Sequence, residues 1–192
     1  RSLRIKAIQT NIALKSIIKD QFSIDDLKIT TKQIKLNDII SLIRIFQNSP
    51  QLFVLDTIIK DGLVNANIHL KFDEAGRIKE NYKIEGSLKK AKLNVINKIK
   101  LQNLNFNFYI DQNIYVLKKI DVQINDIKLT SPLIEVKKNK KSFFVNGQFL
   151  NENKAFHIEE LKPILNNVFN NIDIKKIEFS SKNNFSFNVN KN

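Results

Sequence analysis

A chain of 192 residues with no cysteine and no methionine is long enough to bury a sizeable core, and it excludes a disulfide framework or a thiolate metal site. Its formal charge of +13 is almost wholly lysine, scattered along nearly every polar segment, with arginine only at positions 1, 4, 44 and 77. That scatter describes a solvated face rather than a phosphate-reading patch, so no nucleic-acid partner is expected. No apolar run of about 18 residues occurs, which excludes a spanning helix within this stretch. With arginine at position 1, the chain reads as an internal piece of a longer protein whose targeting signal or anchor would lie outside it.

The first legible unit is Ile24-Asp25-Asp26-Leu27-Lys28-Ile29-Thr30-Thr31-Lys32-Gln33-Ile34-Lys35-Leu36. It aligns without a gap to Ile124-Asn125-Asp126-Ile127-Lys128-Leu129-Thr130-Ser131-Pro132-Leu133-Ile134-Glu135-Val136. Five of the thirteen positions are identical and five are close exchanges. Such recurrence indicates an array of strand-turn-strand units rather than one enzyme core. A looser third copy begins at Ile174. The short polar pairs Asp25-Asp26 and Asn125-Asp126 predict a corner in each copy.

Helical spacing follows from about Asp38 to Gln47, with Ile39, Ile40, Leu42, Ile43, Ile45 and Phe46 in one wide stripe. Ser49 and Pro50 then open a second helix, carrying Leu52, Phe53, Leu55, Ile58 and Ile59, and Gly62 reads as its stop. The two make a helical insertion over about residues 37–62.

Period-two alternation takes over from there. Val64, Ala66, Ile68, Leu70 and Phe72 alternate with polar residues as far as the turn Asp73-Glu74-Ala75-Gly76, and a return strand runs through Tyr82, Ile84, Gly86 and Leu88. Leu104, Phe106, Phe108 and Ile110 form the next strand, followed by Ile120, Val122 and Ile124. The three-residue step from Ile124 to Ile127 switches face and predicts a bulge or corner. Phe143, Val145, Gly147 and Phe149 give a further strand, and a short helix is expected over about 159–170 with Pro163 in its first turn. Phe185, Phe187 and Val189 close the chain. Gly86 and Gly147 each occupy an apolar slot, which marks either a curl of the sheet or a space left for a ligand.

The whole of residues 1–192 therefore reads as one segment, mainly β with a few short helices: a long antiparallel sheet of roughly nine to twelve strands. Catalytic patterns are missing. His69 and His157 are the only histidines, both at surface positions of the pattern, and no nucleophile elbow, P-loop or dinucleotide turn is present. No enzyme activity, cofactor or metal is expected. What stands out is apolar area on one face in excess of what three short helices can cover. Either a second sheet closes over it, or the sheet curls into an open trough.

The helix, glycine, alternating strand and hairpin of Ser49-Pro50-Gln51-Leu52, Gly62-Leu63-Val64 and Asn67-Ile68-His69-Leu70 lead into Tyr82-Lys83-Ile84-Glu85-Gly86-Ser87-Leu88. Together with the corner phrase, this resembles the AsmA-like superfamily of Gram-negative envelope proteins, the AsmA, TamB and YhdP type. The anchor that the family carries is not in this stretch, and Asn and Lys replace much of its small-residue content. The resemblance implies a taco-shaped repeating β-groove that carries phospholipid across the periplasm, anchored in the inner membrane outside this segment, with outer-membrane components as further partners. Its groove lining would be Val64, Ile68, Leu70, Ile84, Leu88, Leu104, Phe106, Phe108, Val122, Ile124, Phe143, Val145, Phe149, Phe185 and Phe187. The alternative is a structural or assembly factor for outer-membrane proteins with a closed core and no lipid. A membrane barrel would also alternate, but the interrupting helices argue against it.

Overall fold

The computed structural model describes residues 5–12, 24–46, 50–73, 75–94, 99–124, 127–159, 161 and 175–190. The β-branched and aromatic alternation forms strands β1 (Ile5–Ile12), β2 (Ile24–Thr31) and β3 (Ile34–Lys35). Helices α1 (Leu36–Phe46) and α2 (Pro50–Ile58) follow. Then come β4 (Ile59–Lys71), β5 (Lys83–Asn94), β6 (Lys100–Asp111), β7 (Ile114–Ile124), β8 (Ile127–Lys138), β9 (Ser142–His157) and β10 (Lys176–Asn190).

All ten strands belong to one antiparallel sheet in the order β1-β2-β4-β5-β6-β7-β8-β9-β10, with β3 also on β4. The sheet is not closed into a barrel, and the expected open antiparallel architecture holds. From β4 onward each strand lies beside its neighbours in sequence, so the sheet is a meander.

The helices pack at one end. Asp38 in the first turn of α1 and Arg44 in its last turn complement the helix dipole. Arg44 Nη1 also donates to Asp56 Oδ2 at 2.6 Å and lies 5.6 Å over the Phe53 ring, tying α1 to α2. Leu36 and Ile39 press on Val64, Leu88 and Ala91. A second buried cluster at the same end joins Ile127, Phe156 and Leu161.

Two expectations change and one holds. Gly62 does not stop a helix. It lies inside β4 at φ +152°, where a Cβ would come 3.1 Å from that of Ala91. The step Ile124 to Ile127 is the expected corner, since it joins β7 to β8 and those two residues face each other, while Asn125 and Asp126 themselves lie outside the described residues. Asp25-Asp26 makes no corner, since β2 runs unbroken through it. The expected helix over 159–170 lies outside the described residues except at Glu159 and Leu161.

The recurring phrase encodes something else: a bulge. Thr30 faces Asn67 and Ile34 faces Val64, so residues 31–33 stand opposite only 65 and 66. Thr130 faces Leu150 and Ile134 faces Gly147, so residues 131–133 stand opposite only 148 and 149. One strand gains one residue at the same point of both copies. The hydroxyl at the shared position takes over lost ladder bonds. Thr31 Oγ1 accepts the Ala66 N–H at 2.9 Å, and Ser131 Oγ donates to the Leu133 carbonyl at 3.2 Å.

Further irregularities align with these two. Lys89-Lys90 stands opposite Asn105, Asn103-Leu104 opposite Val122, and Lys119-Ile120 opposite Phe106. Lys90, Asn103 and Lys119 adopt φ of 53°, 50° and 52°. Register shifts also occur at Asp61 in β4 and near Phe179 in β10. Each bulge bends its strand and increases twist, and a belt of them across the sheet folds it along a line.

β2 is held to β4 over only Asp26–Thr30 and Asn67–Lys71. There the Asp26 carboxylate accepts from the His69 ring. That hydrogen bond holds the Asp26 pKa below its ordinary value, burial opposes the shift, and the charges of His69, Lys28 and Lys71 assist it. A carboxylate whose folded pKa is depressed contributes stability above its unfolded pKa of about 4, and loses it as pH falls through the folded value. Asp26→Asn is therefore expected to lower the urea midpoint at about pH 6 and to match the parent chain near pH 2. An offset that stays constant across this range would contradict the assignment.

Candidate functional site: the apolar face of the sheet

The register brings one side chain from each strand into a line. Ile8 faces Ile29, which faces Ile68, then Ile84, Ile110 and Tyr115. The line continues through Val136 and Val145 to Phe187. Nine strands supply nine apolar residues, and eight steps of about 4.8 Å make a strip roughly 38 Å long. The thickness of a bilayer's hydrocarbon core is about 30 Å. A second line runs beside it: Ala66, Gly86, Phe108, Leu117, Ile134, Gly147 and Phe185.

The two glycines in the second line are each overlaid by a phenyl ring from the next strand. A Cβ on Gly86 would come 2.8 Å from Phe108 Cζ, and one on Gly147 would come 2.8 Å from Phe185 Cζ. The slots are thus filled by the chain's own rings rather than left for a ligand. Phe185 continues the aromatic surface, stacked 5.3 Å from Phe149 and 6.1 Å from Phe187.

The opposite face is mostly polar along the matching line, with Thr30, Asn67, Glu85, Tyr109, Glu135, Asn146 and Ser186, interrupted by Ala7 in β1 and Val116 in β7. Ser87 Oγ donates to Asn65 Oδ1 at 2.7 Å on that side. Two recesses of about 330 and 390 Å³ open among these polar strands, the first lined by Lys6, Thr30, Lys32 and Asn65 and the second by Glu85, Asn107, Tyr109 and Lys118. Tyr109 there has its phenol pKa raised, by burial first and then by its hydrogen bond to Asp111.

All fifteen residues expected to line a groove lie on the apolar face. They divide by cover. Val64, Leu88 and Val122 are buried at the helix end and serve as core. Ile68, Leu70, Ile84, Leu104, Phe106, Phe108, Ile124, Phe143, Val145, Phe149 and Phe185 are half-buried, while Phe187 is 49% exposed. Among the described residues, strands pack chiefly on their ladder neighbours. The helices laid on the sheet there are α1 and α2, against β3 and β4.

The strip also includes residues the alternation had not singled out: Ile8, Ile29, Tyr115, Leu117, Ile134 and Val136. Tyr115/Leu117 and Ile134/Val136 carry the same period-two signal. Ile8 was hidden because β1 shifts register after Ile5 and after Asn11, which breaks its alternation.

His69 is engaged with Asp26, and His157 ends β9. No cluster of three or more metal-ligating side chains occurs among the described residues, and no described helix is long and apolar enough to cross a membrane. Comparison with protein-family models, curated proteins and solved structures returned no match to this chain. Its site is thus defined by geometry: an open antiparallel sheet with one wet face and one continuous oily face.

Proposed function

We propose that this chain is a segment of a lipid-conducting protein of the AsmA-like type, shielding phospholipid acyl chains on its apolar face between two membranes of a cell envelope. The observation that carries the reading is the unbroken nine-residue apolar line, only half-buried along its middle. Each methylene bared to water costs about 0.8 kcal/mol, so exposing ten on an acyl chain costs roughly 8 kcal/mol. A strip that stays apolar from strand to strand removes most of that barrier along its whole length. The charged head group would remain in water at the opening. An anchor to the inner membrane and contacts at the outer membrane would lie outside this segment.

The closed-core alternative requires a second layer over the strip. Among the described residues, cover reaches only the helix end. The test compares neighbours on the two faces of β9. Val145→Asp puts a carboxylate in the apolar line, whereas Asn146→Asp puts the same group on the exposed polar face. Native mass spectrometry of protein purified in mild detergent is expected to find bound phospholipid in the parent chain and in Asn146→Asp. Val145→Asp should lose it by roughly tenfold or more, since an acyl chain cannot solvate the charge. Lipid-free protein in every preparation, or equal loss in both variants, would refute the reading.

A further inference from the structure

Lysine is spread over most of the wet face, but two irregularities of the ladder bring two lysines to one point. Lys6 is an extra residue in β1, because Ile5 faces Thr31 while Ala7 faces Thr30. Unbroken alternation would set it beside Ile8 on the oily side. The bulge turns it onto the wet face instead, where it lines the recess of about 330 Å³ with Thr30, Asn65 and Asn67. Lys32 belongs to the second irregularity, residues 31–33 opposite 65 and 66. It lines the same recess, next to Gln33. Both lysines are exposed.

The lining is chemically one-sided: two ammonium groups with amides and a hydroxyl between them. Among the described residues no carboxylate lines it. Glu85, one strand further on, accepts from the Asn67 amide at 3.5 Å and lines the neighbouring recess. Nor does the bulge itself require this lining. The second copy of the phrase builds the same bulge with Pro132 and Leu133 where the first has Lys32 and Gln33. The volume falls at the lower end of small-molecule sites, about 300–1,000 Å³.

We propose that this recess binds a phosphate group, with Lys6 and Lys32 on its charge and the amides and hydroxyl around them donating to its oxygens. Lysine serves phosphate as a point charge, and two converging ammonium groups match a dianion. Exposed charges attract weakly in water, so the affinity is expected in the millimolar range. A soluble phosphate ester and a lipid head group present the same oxygens. The recess lies on the face opposite the oily strip, so the inference does not depend on acyl chains being the cargo.

NMR of the amide resonances of the full chain tests it, with inorganic phosphate replacing chloride at constant ionic strength. Saturable shifts centred on Lys32, Gln33 and Ala66 are expected. Lys6→Gln and Lys32→Gln, both exposed changes, should each raise the apparent Kd by about fivefold or more with circular dichroism unchanged. Lys128→Gln removes the same charge from an exposed position in β8 and should leave the Kd within about twofold. Vesicles of phosphatidylcholine with and without phosphatidic acid separate the two sources. If Lys32→Gln weakens binding to the acidic vesicles, the phosphate arrives on a head group; if it weakens only inorganic phosphate binding, it arrives on a soluble ester. Either result supports the site. Shifts that do not saturate, or an equal loss in Lys128→Gln, would overturn the proposal.

Discussion

Gly86→Val is expected to be the most damaging small substitution in this chain, lowering stability by about 3 kcal/mol in urea unfolding. The cause is backbone, not side chain. An ideal Cβ on Gly86 falls 2.0 Å from the Asn65 carbonyl oxygen and 3.0 Å from the Ala66 Cα, besides meeting the Phe108 ring. The β4 backbone is held by ladder bonds and cannot yield without breaking them. Gly147→Val provides a graded comparison. Its two tightest neighbours are side-chain atoms, Phe185 Cζ at 2.8 Å and Ile134 Cγ1 at 2.9 Å, with the Leu133 oxygen at 3.2 Å. Side chains can shift where a laddered backbone cannot, so the cost should be about 1–2 kcal/mol. If the two valines cost the same, the close backbone approach at Gly86 is wrong.

Phe156→Ala is the second large effect, about 3–5 kcal/mol. Phe156 is 0% exposed, sits 5.4 Å from the Phe179 ring, and joins Ile127 and Leu161 in the cluster at the helix end. Removing it leaves a cavity in one of only two buried clusters described. A one-layer sheet has little other core to absorb the loss. Phe187→Ala, at an exposed position on the same kind of strand, should cost less than about 1 kcal/mol. Thermal or urea midpoints would separate the two. Near-equal midpoints would mean that the buried cluster contributes no more than the open strip.

The strands were readable because alternation is a direct consequence of the pleat. Val64–Phe72 and Leu104–Ile110 follow it cleanly, and all fifteen residues proposed from them lie on one face. The bulges were readable only in part. Leu88-Lys89-Lys90-Ala91, Leu101-Gln102-Asn103-Leu104 and Leu117-Lys118-Lys119-Ile120 each show two polar residues between apolar ones, and all three are bulges. Ile124-Asn125-Asp126-Ile127 shows the same spacing and is a hairpin. What separates them is whether the chain reverses, and that is decided by the partner strand rather than by the local pattern. Lysine at positive φ gives no warning either, since its propensity for that region is poor. The two copies of the recurring phrase share a bulge at Thr30–Ile34 and Thr130–Ile134, which the acidic pair at Asp25-Asp26 did not announce. Which residues the helices cover could not be read at all, because the packing of α1 on Val64 and Leu88 depends on how the sheet bends beneath it.

The meander order gives the molecule a scale of its own. Since the strands lie crosswise to the oily line, lengthening it requires no new motif, only another hairpin with the same alternation, and each hairpin adds about 10 Å. The length of the strip is then set by gene length, one pair of strands at a time, and a lineage could extend or shorten it by duplicating or trimming these units.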